Sequence, residues 1–337
     1  MTNKMKAVVL TSPGAPESLQ IQRVDMPQLR SGRDVLVRLK KAALNPADAY
    51  FRAFGPYLDT GAPCILGHDG AGVVEQVGSD VSRVEPGQRV CFCNGGIGGD
   101  FGTYAEFAVV PETQLSVIPD SIDNATAASL PLVFITAWES LHDRARVSAG
   151  EFVLVHAGAG GTGHVSVQLA ALLGARVAST VSSEAKIELV RQLGAERAIA
   201  YRREDFVEVA REWTSAQGID VALDNLGPEI FQKTIGAMAP YGRLVTLMGM
   251  PADDADETAY VNNLTIHNVM MLTPMILGMQ ARLDDQATIV ARGLELLEQG
   301  KLKIAIEREF AFDDIVAAHE MLDTGRTTGK IVIAIGD

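Results

Sequence analysis

The residues with the clearest chemistry lie between Phe152 and Leu173, in FVLVHAGAGGTGHVSVQLAALL. Gly158-Ala159-Gly160-Gly161-Thr162-Gly163 is a complete G-x-G-x-x-G. It follows an apolar, partly β-branched run and precedes Val165, Leu169, Leu172 and Leu173 at helical spacing. Strand, glycine turn and helix in that order are what a dinucleotide fold requires. The first glycine permits a tight turn, the second lets backbone amides approach a pyrophosphate, and the third lets the helix pack against its strand. Free amides at the helix N-terminus then face the phosphates.

The same stretch leads to a choice of cofactor. An NAD-specific domain places Asp or Glu at the end of its second strand, about twenty residues beyond the first glycine, to bind the adenosine ribose. Here the strand beginning at Arg176 leads to Val181, so no carboxylate stands there to repel a 2′-phosphate. Ser182 and Ser183 follow with hydroxyls, and Lys186 lies one turn into the next helix. Tyr201 closes the neighbouring strand, with Arg202 and Arg203 behind it. This set predicts NADP(H), and Glu184 is the competing ribose ligand. Other chemistries lack support. No G-x-S-x-G elbow is present, and Gly163 is followed by His164, not by the Lys of a P-loop.

These residues need elements to hold them. The chain has 337 residues, comfortable for two domains, with 47% apolar and 21% charged residues, as in globular proteins. From 1 to 126, short strands punctuated by Pro, Gly, Asn and Asp predict a β-rich domain. From 127 to 277, strand and helix alternate. Expected strands there include Phe152–His156, Arg176–Thr180, Arg197–Tyr201, Asp220–Leu223, Arg243–Leu247 and Val269–Leu272, a complete dinucleotide-binding set. From 278 to 337, Asp284 is the expected N-cap of a helix through Glu298. A strand at Lys303–Ile306, a helix from Asp313 or Asp314 to Gly325, and a strand at Lys330–Ile335 follow. This tail is expected to return and complete the first domain, so that the sheet domain is an insertion. The fold class is thus α/β.

Composition narrows the partners. A net charge of −13 argues against nucleic acid as the main partner. No run of eighteen uncharged apolar residues is present, so no membrane span is expected. The N-terminus has a basic start and a short apolar run, and it reads as a first strand. Cys64, Cys91 and Cys93 form no disulfide framework and read as reduced thiols of a cytoplasmic protein. Met270, Met271, Met275 and Met279 form a methionine-rich segment, read chiefly as core or dimer interface.

Several stretches together resemble the medium-chain dehydrogenase/reductase superfamily, within it the zinc-free quinone oxidoreductase group related to zeta-crystallin. They are Asn45-Pro46-Ala47-Asp48-Ala49-Tyr50, Gly67-His68-Asp69-Gly70-Ala71-Gly72, Phe101-Gly102-Thr103-Tyr104-Ala105-Glu106, Thr136-Ala137-Trp138-Glu139, the glycine loop, Asp224-Asn225-Leu226-Gly227 and Gly325-Arg326-Thr327-Thr328-Gly329-Lys330. The resemblance runs essentially end to end. It implies a Rossmann doubly wound parallel sheet inserted into a chaperonin-10-like, partly open β-barrel domain, a cleft between the two, and a homodimer. It implies Asn45 and Thr136 as neighbours of the cofactor. Asn225, Met248, Gly249, Leu272, Thr273 and Lys330 join the loop residues and Ser182, Ser183, Lys186 and Tyr201 as expected cofactor contacts.

Zinc-dependent members hold their metal with Cys, His and Cys. Here those positions carry Asn45, His68 and, near the third, Leu132, so no metal is expected. His68 is read as a hydrogen-bonded wall residue. Without a Lewis acid, the chemistry should tolerate its loss, as hydride addition to quinones and conjugated enones does. Asn45 can place the nicotinamide ribose or the acceptor. Asp48 can orient Tyr50 or contact the substrate, and Tyr50 can donate to the oxygen that gains charge. Thr136, expected at the start of a helix, can hold the nicotinamide end, and Tyr57 is a weaker candidate. Each also has a purely structural reading as a cap, turn or half-buried residue. Three functions fit: an NADPH-dependent quinone reductase, an NADPH-dependent enone or alkenal reductase, and an NADPH-binding sensor or structural protein with little turnover.

Overall fold

A computed structural model describes residues 4–58, 63–99, 101–249 and 257–336. The chain forms two compact units. One comprises Met1–Leu132, Leu272–Gly300 and Ile304–Asp337. The other comprises Val133–Met271 and Lys301–Lys303.

The first unit begins with β1 (Lys4–Leu10), β2 (Leu19–Asp25), β3 (Asp34–Ala43), helix α1 (Pro46–Phe54), β4 (Cys64–Ile65) and β5 (Asp69–Val77). It continues through β6 (Arg89–Cys93), β7 (Phe107–Pro111), β8 (Ser116–Val117), α2 (Asn124–Ser129) and the start of α3 (Pro131–Trp138). A turn of π-helix follows at Glu139–Arg144. The second unit holds β9 (Phe152–Val155), α4 (Gly161–Leu172), β10 (Arg176–Val181), α5 (Glu184–Gln192), β11 (Arg197–Ala200) and α6 (Phe206–Trp213). Next come β12 (Ile219–Asp224), α7 (Pro228–Ile235), β13 (Met238–Thr246), α8 (Glu257–Val261) and β14 (Thr265–Asn268). The first unit resumes with α9 (Thr273–Ile276), α10 (Gln280–Glu298), β15 (Ile306–Ala311), α11 (Ile315–Asp323) and β16 (Lys330–Ala334).

In the second unit the strands order as β11-β10-β9-β12-β13-β14, all paired parallel. This is the doubly wound arrangement, in which the order reverses between β9 and β12. The central strands are covered on both faces. Val153, Leu154, Val155, Val221, Ala222 and Leu223 are all fully buried, which is why they read as continuous apolar runs. In the first unit, β15-β16-β3-β5-β6-β8 form one sheet, with β7 also on β3, and β2-β1-β4 form another. The C-terminal strand β16 pairs antiparallel with β3, placing Val332 beside Ala43. The C-terminal strand thus lies in the first unit's larger sheet. Alternate residues Val35, Val37 and Leu39 of β3 pack with Val74, Val90, Phe92 and Val110, the period-2 pattern of a sheet with one buried face.

Several expected elements fall elsewhere. The last strand of the parallel sheet is Thr265–Asn268, not Val269–Leu272. Helix α10 starts at Gln280 after Met279, so Asp284 lies inside its second turn and caps nothing. The strand expected at Lys303–Ile306 is Ile306–Ala311. Helix α1 stands among the short strands of the first unit. Thr136 lies in the last turn of α3, not at a helix start.

In the second unit a buried histidine, His156, is held on both ring nitrogens. His156 packs edge-on to Phe206, with ring centroids 4.8 Å apart. Thr234 Oγ donates to the Ile230 carbonyl at 2.6 Å, so it accepts from His156 Nε2 at 2.9 Å. Thr180 Oγ accepts from Ala157 N at 3.1 Å and donates to His156 Nδ1 at 3.2 Å. The ring is a neutral Nε2–H tautomer, and burial pushes its pKa down to about 3. The unfolded chain therefore binds a proton that the folded chain refuses, so this stability is complete above about pH 6.5 and is lost as pH falls toward 3. Between pH 7 and pH 5 the loss is about 2 kcal/mol. Urea unfolding at the two pH values is expected to show it, with His156→Gln removing about 2 kcal/mol of the pH dependence and leaving the share of His319, whose pKa burial lowers to about 4. An equal pH dependence in the variant would refute the assignment.

Candidate functional site

The carboxyl ends of the parallel strands carry the loop residues singled out in the sequence. β9 ends at Val155, and Ala157 turns the chain with φ 51°, a left-handed conformation uncommon for alanine. Such outliers concentrate at ligand loops. Gly160 then precedes the first turn of α4, and no side chain caps that helix. Its leading amides are left for a ligand or solvent.

The three motif glycines have different physical reasons. A Cβ on Gly158 would lie 1.8 Å from Ser179 Oγ, and one on Gly163 would lie 2.1 Å from the Ala157 carbonyl oxygen. Both are required by close packing of helix on sheet. Gly160 is different. Its φ is −80°, which any residue adopts, and a Cβ would meet only the Ala157 carbonyl oxygen, at 3.3 Å. No backbone strain and no severe clash demands glycine there, only a slight shift of the Ala157 carbonyl.

Beside the loop, β10 ends at buried Val181, with Ser182 and Ser183 following. Ser182, Ser183, Glu184, Ala200, Arg202 and Arg203 line one cavity at the ends of adjacent strands β10 and β11. Tyr201 is about half exposed, and Lys186 lies in the first turn of α5. Glu184, the competing ribose ligand, forms an exposed 3.0 Å ion pair with Arg203. Asn225 follows β12 and donates from Nδ2 to the His156 carbonyl at 2.7 Å, while its buried Oδ1 has no partner. Met248 is exposed and Gly249 adopts φ 79° after β13. These groups could cradle a dinucleotide, and their chemistry fits one. The loop approaches closely, basic and hydroxyl groups stand where an acid would exclude a phosphate, and one acceptor is left over. Leu272 and Thr273 belong to the first unit. Leu272 is buried and Thr273 begins α9, so of the Leu272 side chain nothing is offered to a ligand.

The first unit holds a second cluster, assembled at one end of its larger sheet. Ladder pairs put Ala43 beside Asp69 and Asp69 beside Cys93. Asn45 follows β3 immediately, and Lys330 begins β16. Asn45, Asp48, His68 and Asp69 are fully buried, and Lys330 is 2% exposed. Asn45 Nδ2 donates to Asp69 Oδ2 at 2.9 Å, and the Lys330 ammonium donates to Asn45 Oδ1 and, at 3.3 Å, to Asp69 Oδ2. Leu132 N donates to Asp69 Oδ1 at 2.9 Å. Asn45 N donates to Asp48 Oδ2 at 2.8 Å, and His68 Nδ1 lies 2.5 Å from Asp48 Oδ1.

The two carboxylates respond differently. Burial raises both. For Asp48, the attraction and hydrogen bond of His68, with His319 beyond, outweigh burial, and its pKa falls below the usual carboxylate value. For Asp69, burial wins over Lys330 and Asn45, and its pKa rises. Ionised Asp48 accepts, so His68 Nδ1 carries the proton, and the buried Nε2 has no partner. Arg52, one turn beyond Asp48, is also buried. It donates to His319 Nδ1 at 3.3 Å, to Asp323 at 2.9 Å and to the Gly14 carbonyl at 3.1 Å.

The expected roles change accordingly. Asp48 is enclosed by Asn45 and His68. Its two carboxylate oxygens are taken up by Asn45 N and His68 Nδ1. Tyr50 points elsewhere on α1, 59% exposed, its ring 4.8 Å from Phe54. Tyr57 is also exposed. His68 is an interior residue stacked 5.7 Å from Phe51, not a wall residue. Lys330 is turned inward onto Asn45 and Asp69. Thr136 is buried in α3 of the second unit. Arg52 and His319 were not singled out from the sequence. The available signal was the i, i+4 spacing of Asp48 and Arg52 around Phe51, a charged pair on an apolar helix face.

Zinc does not fit the first unit. An amide and a leucine stand where thiolates would bind, and the Lys330 ammonium already lies on the Asn45 and Asp69 oxygens, where it would repel a dication. Among the described residues no group of three His, Cys, Asp or Glu could hold a metal ion.

Residues 31–120 match the alcohol dehydrogenase GroES-like domain, and residues 193–333 match the family described as zinc-binding dehydrogenase. The chain is 33% identical over 329 residues to the quinone oxidoreductase of Pseudomonas aeruginosa, covering 97% of this chain and 99% of the relative. It is 32% identical over 337 residues to the 2-haloacrylate reductase of a Burkholderia species, covering 97% and 98%. The crystal structure of an alcohol dehydrogenase superfamily protein from Novosphingobium aromaticivorans superposes with a TM-score of 0.90 at 33% identity, covering 98% of this chain and all of that one. A GroES-like domain joined to a parallel Rossmann-like sheet defines a medium-chain oxidoreductase. The chain belongs to the medium-chain dehydrogenase/reductase superfamily, in its zinc-free quinone oxidoreductase-like group.

Proposed function

We propose that this chain is an NADPH-dependent, zinc-independent reductase that delivers hydride to a quinone or a similarly conjugated carbonyl. The observation that carries the reading is Gly160. Its backbone is open, and neither φ nor packing requires glycine, so the residue serves something that approaches from outside. A bound dihydronicotinamide supplies the hydride. The protein contributes orientation, hydrogen bonding and exclusion of competing reactions. Val181, Ser182, Ser183, Lys186, Tyr201 and Arg202 favour the 2′-phosphate form, because no carboxylate ends β10. Tyr50 is the proposed donor to the acceptor oxygen, since its phenol is exposed. Thr136 is proposed to steady the nicotinamide end. Asn45 and Asp48 act by holding α1.

Reduction of enones or alkenals is the second reading. The similarity to a 2-haloacrylate reductase, named for a conjugated acid, favours it. Strand β14 is an edge of its sheet, with exposed Tyr260, Val261 and Tyr241 nearby, which supports a homodimer. Cys64, Cys91 and Cys93 are not in disulfides, consistent with action in the cytoplasm. No helix of the described residues is long and apolar enough to cross a membrane.

Steady-state oxidation of NADPH and NADH with quinones, alkenals, 2-haloacrylate and simple aldehydes tests the reading, with sedimentation of the same sample reporting the dimer. Quinone turnover with NADPH bound at least about tenfold more tightly than NADH is expected, the effect of one charge-assisted contact. Turnover of alkenals or haloacrylate alone supports the second reading. Tight NADPH binding with no turnover overturns both.

A further inference from the structure

We propose that Lys330 is a positioning residue: its ammonium, seated between Asn45 and Asp69, fixes the Asn45 amide and through it the first turn of α1, the helix that presents Tyr50. The inference rests on the reading of Tyr50 as the acceptor-side donor, and it gives Lys330 a role other than contact with the cofactor.

A lysine that binds a phosphate must have its charge available. Lys330 is 2% exposed, and its ammonium already donates to an amide oxygen and a carboxylate. The consequence for Asn45 is geometric. With Oδ1 on the ammonium, Nδ2 faces Asp69 Oδ2 at 2.9 Å and the Ala43 carbonyl at 3.3 Å. A flipped amide would set a donor against the ammonium and an acceptor against both oxygens. All three contacts would turn repulsive, so the cation selects one of the two amide orientations. Asn45 in turn is the N-cap of α1. Its backbone N–H donates to Asp48 Oδ2, and its carbonyl accepts from Asp48 N at 2.9 Å. Asp48 is anchored by His68. The chain of contacts thus runs from β16 through Asn45 and Asp48 to the helix whose outer face carries Tyr50. Asp69, buried and ion-paired to Lys330, is the counter-charge that makes a buried ammonium tolerable.

Removing the ammonium alone would strand Asp69, so the informative variant is the double substitution Lys330→Met with Asp69→Asn, compared with Lys330→Met. Hydrogen exchange of the segment 45–54, NADPH affinity and turnover are measured on the full chain. The double variant is expected to recover much of the unfolding midpoint lost in Lys330→Met, because no buried charge is left unpaired. It should still exchange about tenfold or more faster across 45–54 while the β9 segment is unchanged, as local opening of a loosened helix does. Turnover should remain about tenfold low, the worth of one misplaced hydrogen bond, with NADPH affinity within about threefold of wild type. If the double variant does not fold, Asn45→Ala keeps the Lys330–Asp69 pair and must show the same local exchange. Unchanged protection of 45–54, turnover that recovers with the midpoint, or NADPH affinity weakened tenfold overturns the proposal. A wild type that turns over no quinone or enone rejects the proposed function, and the exchange and affinity measurements still decide on Lys330.

Discussion

A Gly160→Val chain is expected to fold normally and to bind NADPH about 100-fold more weakly, ~2.7 kcal/mol, the worth of one or two hydrogen bonds to a charged group. The two halves of this expectation have separate grounds. Folding is preserved because φ is −80° and a Cβ meets nothing nearer than the Ala157 carbonyl oxygen at 3.3 Å. Binding is lost because the branched side chain stands where a pyrophosphate must approach the amides leading into α4. The neighbours behave oppositely. Val at Gly158 or Gly163 collides with Ser179 or with the Ala157 carbonyl, so those variants lose stability before affinity is in question. Fluorescence titration with NADPH beside a urea melt separates the cases. A folded Gly160→Val protein with wild-type affinity would refute the loop assignment.

Asp48→Ala is expected to cost about 2–5 kcal/mol of stability, since two buried donors lose their acceptor at about 1–3 kcal/mol each. The carboxylate accepts from Asn45 N and His68 Nδ1, and neither donor has a replacement in a fully buried place. The helix loses its reciprocal cap as well. A pH signature accompanies the loss. Folding lowers the Asp48 pKa, so its contribution is present above about pH 3.8 and disappears as pH falls through the lower folded value. The variant should lack that part of the acid limb. A midpoint in urea within experimental error of wild type would show that the network is dispensable.

What could be read in the sequence was whatever is local. The glycine loop, the missing acid at Val181 and the alternation of β9 to β13 with helices each depend on neighbours within a few dozen residues. The misplaced strands share one cause. β14, with the sequence Thr265-Ile266-His267-Asn268, and β15 are both sheet edges. An edge strand has a partner on one side only and can carry polar residues, so the apolar runs lie beside it, at Val269–Leu272 and Lys303–Ile306. Asp284 was a plausible cap by type, but α10 already runs from Gln280. The polar cluster was invisible for a different reason. Lys330 and Asn45 are 285 positions apart, and only the pairing of β16 with β3 makes them neighbours. Asn45 and Asp48 were recognised as important residues, but their burial, which changes what they can do, is a property of the sheet end and not of their own segment.

The discontinuity of the first unit also sets a timetable for biosynthesis. Its strand β3 lacks its β16 neighbour until residues 330–334 have left the ribosome, whereas the second unit needs little beyond Val133–Met271. The inserted unit can therefore mature during translation while the β-rich unit waits with Lys41–Ala43 of β3 unpaired on the side that β16 covers and Asp69 without its lysine. Unpaired strand edges are the state most exposed to misassociation. For this protein the vulnerable interval in the cell closes only when β16 is delivered.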